Sequence, residues 1–161
     1  MDPSEAPEFR LDGEPDWQAF DAPALVGSSL RFVSGDRTGQ RFRARYFRDP
    51  DQNLVARFWF GPEAEGPPGY AHGGSAAAVL DEVLGLAAWS AGHAIVVGNL
   101  NVSFRNMLPL QTVVQVDSRV VSVQGRKVMV EGRICGPGGI VYATAECLCI
   151  KLKPESLAAA T

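Results

Sequence analysis

The sequence has little cysteine, little histidine and no strong excess of charge of either sign. Its 161 residues include three cysteines and two histidines, and the formal net charge is −3. Cys135, Cys147 and Cys149 are odd in number and have no Cys-x-x-Cys spacing, which excludes a disulfide framework and a zinc site, so no metal is expected. They read as small buried thiols in a reduced compartment, and the expected location is cytoplasmic. Without a broad basic surface the chain is not expected to bind nucleic acid. No apolar run reaches the about 18 residues of a membrane span. The opening MDPSEAPEFRLDGEPDW is acidic and proline-bearing with no apolar centre, unlike a signal peptide.

What is present is globular composition, 46% apolar and 20% charged. A chain of this length is one domain by the rule of about 150 residues each, and it can bury roughly two-thirds of its surface. Residues 1–35 read as an N-terminal tail with short edge elements. In it, Asp16 to Phe20 has some helical character, and Ala24 to Val33 could dock at an edge. Residues 36–155 carry the folded domain, and 156–161 is an alanine-rich end expected to fray.

Inside the domain, Gln40 to Phe47 and Leu54 to Phe60 read as strands joined by a turn over Asp49 to Asn53. Ser75 to Ala91 is rich in alanine and leucine, has no proline, and is charged only at Asp81 and Glu82. Gly74 or Ser75 could cap its start and Gly92 could end it. A helix so apolar all round is expected to be buried. Gly98 to Arg105 alternates, with Leu100, Val102 and Phe104 on one side and Asn99, Asn101, Ser103 and Arg105 on the other. Strands follow over Thr112 to Ser122, Lys127 to Cys135 and Ile140 to Leu152, joined by the short turns at Gln124-Gly125-Arg126 and Gly136 to Gly139. Short turns join antiparallel neighbours. The expected fold is therefore α+β: an antiparallel sheet of about five to six strands wrapped around one long buried helix, the hotdog architecture.

The stretch Gly66-Pro67-Pro68-Gly69-Tyr70-Ala71-His72-Gly73-Gly74 runs straight into that helix. Glycines at a helix start let a ligand approach backbone amides that have no intrahelical partner, at the positive end of the helix dipole. Such a site can stabilise a carbonyl oxygen that becomes negative during acyl transfer. The other reading is a flexible loop feeding a helix. Asp81 is costly inside an apolar helix unless paired or functional, and it is a candidate base or nucleophile. Glu82 lies about 100° further round and cannot face the same small site. Gly73 and Asp81 are eight residues apart, about 12 Å along the axis, so one reacting carbon cannot touch both within one chain. If both act, the working unit is a homodimer.

His72, Gly73, Gly74 and Asp81 have the His-Gly-Gly and nine-residue spacing of hotdog-fold acyl-CoA thioesterases of the phenylacetate-pathway (PaaI) class, and the chain resembles them. It is still more similar to mammalian thioesterase superfamily members of the carboxyl-terminal modulator protein type. That likeness is carried by the Gly66–Gly74 run, Asn99-Leu100-Asn101-Val102, Gly125-Arg126-Lys127 and Ile150-Lys151-Leu152-Lys153-Pro154, and covers roughly residues 40 to 155. The resemblance implies an acyl-CoA thioesterase that needs no cofactor beyond the coenzyme A of its substrate, working as a homodimer and possibly as a homotetramer. It implies that the Gly73 N–H holds the thioester oxygen and that Asp81 of the other subunit activates water or attacks the carbonyl. His72 would shape the loop and Gly74 would let the helix start close to substrate. Asn99, Arg105, Arg126 and Lys127 are candidate substrate contacts, although a solvated strand face explains the three basic residues equally well. His93 matches no motif and reads as a loop residue.

Two positions depart from the family pattern. Val97 stands where a hydroxyl side chain often helps place water, leaving that task to Asn99, Ser90 or the backbone, and Asn106-Met107 replaces a usual Arg-Pro. The alternative function is accordingly a non-catalytic acyl-CoA-binding or regulatory hotdog protein. A hydratase is ranked last, because His72 sits in the wrong motif for it.

Overall fold

The computed structural model describes residues 11–21 and 32–159. Strands β1 (Gln18–Ala19), β2 (Phe42–Arg48) and β3 (Leu54–Phe60) precede helix α1 (Gly73–Ser90). Strands β4 (Ile95–Phe104), β5 (Val113–Gln124), β6 (Lys127–Cys135) and β7 (Val141–Lys151) follow, with a short helix α2 (Pro154–Ala159) at the end. All seven strands form one antiparallel sheet in the order β1-β2-β3-β5-β6-β7-β4. The strand count exceeds the expected five to six, the additional strand being the two-residue β1.

Where a helical turn is expected over Asp16 to Phe20, the chain turns at Glu14–Trp17 and then pairs Gln18 and Ala19 with β2. Tertiary contacts override the local preference here. The Trp17 ring lies 5.7 Å from Phe47, and the Arg57 guanidinium lies over it at 4.9 Å. Most of the Ala24 to Val33 edge element falls on residues 22–31, outside the described residues.

One face of the sheet packs on α1. Val79, Leu80, Val83, Leu84 and Ala88 are fully buried against Phe58, Phe60, Val116, Val128, Val130 and Ile134. The helix comes unusually close at Gly132 of β6. A Cβ there would lie 2.5 Å from Leu84 Cδ2 and 2.6 Å from the Asp117 carbonyl oxygen. The helix is not buried all round, as its composition suggests. Asp81 and Gly74 are exposed and Ala77 and Ala78 half-buried, a stripe at i, i+3/i+4 spacing that no element among the described residues covers. β4 is the other open edge. It is ten residues long, and no strand among the described residues pairs with its far side.

The approach to β2 is organised by Asp36, whose carboxylate accepts N–H bonds from Thr38, Arg41 and Phe42 and a bond from the Thr38 hydroxyl. Partial burial pushes the Asp36 carboxyl up, but these hydrogen bonds outweigh it and hold the group at about 2. Its contribution to stability is therefore present above the ordinary carboxylate range and lost as pH falls toward about 2. Acid unfolding of the wild type should show this loss, and Asp36→Ala should flatten that limb while lowering stability at neutral pH.

Gly132→Ala should lower stability by about 1–3 kcal/mol in urea unfolding, because the Asp117 carbonyl cannot retreat without breaking the β5–β6 pairing. An unchanged midpoint would show that the helix seat is softer than its spacing implies.

Candidate functional site

The loop before α1 is shaped by its own hydrogen bonds. After a short 3₁₀ turn at Pro62–Ala64, the Gly66 N–H donates to Tyr70 O at 2.9 Å and the Gly69 N–H to the Glu65 carboxylate at 2.7 Å. Gly69 has φ +81°, which an L side chain rarely adopts. At Gly66 a Cβ would meet the His72 Cα at 2.7 Å. The Ala71 N–H is bonded to Leu108 O and the His72 N–H to Ala64 O, so the chain enters the helix from a fixed direction.

His72 is the N-cap, in place of the expected Gly74 or Ser75. Its Nδ1 accepts the Gly74 N–H at 2.8 Å, and its carbonyl accepts from Ser75 at 2.8 Å and from Ala76 at 3.3 Å. An α-helix begins with four amides that lack an intrahelical acceptor. Three of the four are accounted for. Only the Gly73 N–H has no acceptor among the described residues. It stands beside a pocket of about 210 Å³ lined by Tyr70, Ala76, Phe104, Leu108 and Tyr142. The Phe104 ring leaves only 3.3 Å for a Cβ on Gly73, so glycine is what keeps this amide approachable. An unsatisfied N–H at the positive end of an 18-residue helix is a donor for developing negative charge.

Asp81 lies on the same helix, eight residues on, about 12 Å along the axis, and its carboxylate has no hydrogen bond or ion pair among the described residues. It is exposed on the single chain, which corrects the expectation of a carboxylate buried within one chain. Neighbouring atoms still strip part of its hydration, which pushes its carboxyl above the ordinary value, and the charge of Glu82 adds to this. Glu82 itself is engaged, accepting from the Tyr46 hydroxyl at 2.9 Å and from the Ser34 N–H at 3.2 Å. Under the helix, Cys147 and Cys149 are fully buried with their sulfurs 3.4 Å apart. The hydrogen bond with Cys149, burial and the charge of Asp81 together push the Cys147 thiol far up, so it is inert as a nucleophile.

The other expected residues are dispersed. Arg105 follows β4 next to the Gly73 pocket, and its guanidinium has no partner among the described residues. It also reaches an outer-face groove of about 670 Å³ shared with Asn101, Glu131, Arg133 and Glu146. Asn99 stands in mid-β4 beside an irregular register step. Since Leu100 and Val102 pack on the core, it faces away from α1. Arg126 and Lys127 lie at the β5–β6 turn near the start of β4, the opposite end of that strand from Phe104 and Gly73. Arg126 is committed there, donating from Nε and Nη2 to Lys151 O at 3.1 and 3.0 Å. The Ser90 hydroxyl accepts from Arg48 Nε at 3.0 Å, and Val97 packs against Gly85. Tyr142, a pocket residue that the sequence reading missed, arrives through the bond from Arg105 N–H to Tyr142 O, a pairing with no local signal. No group of three or more metal-ligating side chains occurs among the described residues.

Residues 68–143 match the family model of the thioesterase superfamily. The acyl-coenzyme A thioesterase THEM4 of Mus musculus is 34% identical over 138 residues, covering 84% of this chain and 60% of that protein. A thioesterase superfamily protein of known structure superposes with a TM-score of 0.65 at 28% identity, over 68% of this chain and 54% of the other. The fold and the matched segment are those of the thioesterase superfamily. A Bacillus halodurans protein solved with CoA shares this fold, with a TM-score of 0.60 at 22% identity, over 67% of this chain and 73% of that one. The matched thioesterase-superfamily segment contains His72, Gly73, Gly74, Asp81 and the Phe104–Tyr142 pocket. The chain spans about a third to three-fifths of the length of the curated relatives it matches.

The raised Asp81 carboxyl has a consequence for stability. The folded domain holds that proton more tightly than the unfolded chain, so the ionised form costs stability at neutral pH. Asp81→Asn should melt at or above the wild-type temperature at pH 7, with the difference vanishing in acid. A lower melting temperature at pH 7 would mean that the carboxylate is tied into the fold.

Proposed function

We propose that the chain hydrolyses acyl-CoA thioesters to a free acid and coenzyme A, in sites shared by two copies of the chain. One observation carries this reading: the single amide at the start of α1 without an acceptor among the described residues, Gly73 N–H, opens onto an apolar pocket. In the proposed reaction this N–H donates to the thioester oxygen and stabilises the negative charge that forms as the carbonyl carbon becomes tetrahedral. Asp81 takes the proton from the attacking water. The carbon–sulfur bond breaks, and the coenzyme A thiolate leaves and is protonated. The raised carboxyl suits a base, and its lack of partners leaves it free to accept a proton. The reaction is redox-neutral and, in this scheme, calls on no metal or cofactor beyond the coenzyme A of the substrate. THEM4 and THEM5 bear the name acyl-coenzyme A thioesterase, and the Bacillus halodurans neighbour was solved with CoA, which supports the same substrate class.

A second copy is required because Gly73 and Asp81 cannot reach one carbon in one chain. The uncovered stripe of Gly74, Ala77, Ala78 and Asp81 and the open edge of β4 supply the surface, with Val96 and Phe104 51% and 58% exposed. Long open edges are ready to pair. Two-fold pairing of β4 with its copy would carry the partner's Asp81, and its Arg126 and Lys127, toward Gly73, with further pairing of dimers giving a tetramer. In this scheme His72 and Gly74 hold the amide in place, and Arg105 and Asn99 contact the coenzyme A portion from the same chain. No helix among the described residues is long and apolar enough to cross a membrane.

The competing reading, an acyl-CoA-binding protein without turnover, is favoured by Val97, whose side chain has no hydroxyl to place water. Thiol release from short, aromatic and long acyl-CoA substrates separates the two. Tight binding without release would select the binding protein. For the shared site, Asp81→Asn should reduce turnover at least about 100-fold. Gly73→Pro should do the same, since proline is tolerated at the first helical position but has no N–H. Refolding the two inactive variants together should restore about a quarter of wild-type turnover, from one intact site in each mixed dimer. A mixture that stays inactive while forming mixed dimers would refute sharing.

A further inference from the structure

We propose that Tyr142 is a specificity-determining residue, whose ring closes the pocket beside Gly73 and limits the acyl chain to about eight carbons. This role rests on the reading of Gly73 as the donor to the thioester oxygen and adds which acyl groups that site admits. A carbonyl held at the Gly73 N–H has two substituents to place. The pocket of about 210 Å³ beside that amide suits the apolar chain rather than the polar coenzyme A, because its depths are apolar. The lining divides by exposure. Tyr70, Phe104 and Met107 are exposed and form the rim, beside Arg105, the only charged residue of the lining among the described residues. Ala76, Leu108, Tyr142 and Ala143 are buried and form the floor, and all four come from one chain.

Backbone bonds fix this floor. Tyr142 O accepts the Arg105 N–H at 2.8 Å and the Asn106 N–H at 3.2 Å, and Asn106 Nδ2 donates to Val141 O at 2.7 Å. Leu108 O accepts the Ala71 N–H at 2.8 Å. Ala76 sits in the first turns of α1, and Ala143 is paired on both sides, with Phe104 and Ile134. Behind the pocket the Tyr142 ring lies on Gly136, where a Cβ would come within 2.3 Å of Cε2. Gly136 also lines a second pocket, of about 300 Å³, with Val113 and Cys135. The ring therefore reaches from the acyl pocket to a residue that lines other space. A dry apolar cavity of about 150 Å³ takes one benzene ring, about 25 Å³ per carbon, so the pocket of about 210 Å³ admits about eight carbons. A longer chain must displace a pinned wall or leave its end in water, where added methylenes gain nothing.

The test measures by calorimetry the binding of S-butyl-, S-octyl-, S-dodecyl- and S-hexadecyl-coenzyme A, thioethers that cannot be hydrolysed, each below its micellar concentration. In the wild type, affinity should rise about fourfold per methylene as far as the octyl compound and then level or fall. Tyr142→Leu, which stays apolar but shortens the wall, should carry the rise on to the dodecyl compound. Ala76→Val, which fills the floor from the helix side, should move the limit below the octyl compound. The two substitutions act in opposite directions, so general loosening of the fold cannot imitate both, and thermal melts identify a variant that has not folded. In turnover, the ratio of kcat/KM for dodecanoyl-CoA to that for octanoyl-CoA should rise at least about tenfold in Tyr142→Leu. Wild-type affinity that climbs through the hexadecyl compound would overturn the proposal. Absence of binding, or a limit that neither substitution moves, would overturn it as well. A wild type that binds with this limit but hydrolyses no acyl-CoA defeats the hydrolytic reading and leaves the acyl pocket standing.

Discussion

The hydrogen bond from the Gly74 amide to His72 Nδ1 is the contact from which the rest of the candidate site follows. A helix start has a fixed number of donors, and each must be bonded, solvated or offered to a ligand. Here the N-cap residue takes those of Gly74 and Ser75 through its ring and its carbonyl. The arrangement needs a loop that delivers His72 at the right angle, which explains the glycines at 66 and 69 and the bond from His72 N–H to Ala64 O. It also needs no side chain at Gly74, where the imidazole sits, and none at Gly73, where the Phe104 ring and the pocket begin. The glycine pair is thus explained by two different neighbours.

The seat of the helix in the sheet positions this donor. Gly132 lets Leu84 approach β6, and the adjacent thiols of Cys147 and Cys149 fill the space under the helix. With one side of α1 pressed into the sheet, its stripe of Gly74, Ala77, Ala78 and Asp81 is left facing outward. A carboxylate there is only partly desolvated on a single chain, and a covering surface would desolvate it further, raising its proton affinity in the direction that burial already takes it. The open edge of β4 lies beside the same stripe, so one body could satisfy both. This links the proposed chemistry to association through the geometry of a single helix.

Much of the fold was legible because it is written in local pattern. The alternation in Leu100, Val102 and Asn101 marks β4, the alanine and leucine run marks α1, and Gly125 and Gly138 with positive φ mark turns between antiparallel strands. The short segment around Trp17 was misread as helical because its conformation is decided by Phe47 and Arg57, which lie far along the chain. The same holds for the site. The spacing of His72, Gly73, Gly74 and Asp81 was visible, whereas Tyr142 enters the pocket only through strand register. Likewise the bonds from Arg126 to Lys151 O join residues with no local pattern between them.

The sequence by itself determined that the chain has an apolar helix introduced by a glycine-rich loop and set among antiparallel strands. It also determined that Gly73 and Asp81 stand too far apart on that helix to meet at one atom. These follow from residue spacing and helical rise, which no neighbour can change. Only the tertiary structure decided that, among the described residues, Gly73 has the one unclaimed amide of the helix start, that His72 rather than Ser75 is the cap, and that Asp81 faces outward. Those outcomes depend on which acceptors and side chains the loop and sheet bring to the helix from distant positions, and that pairing has no periodicity for a sequence to reveal.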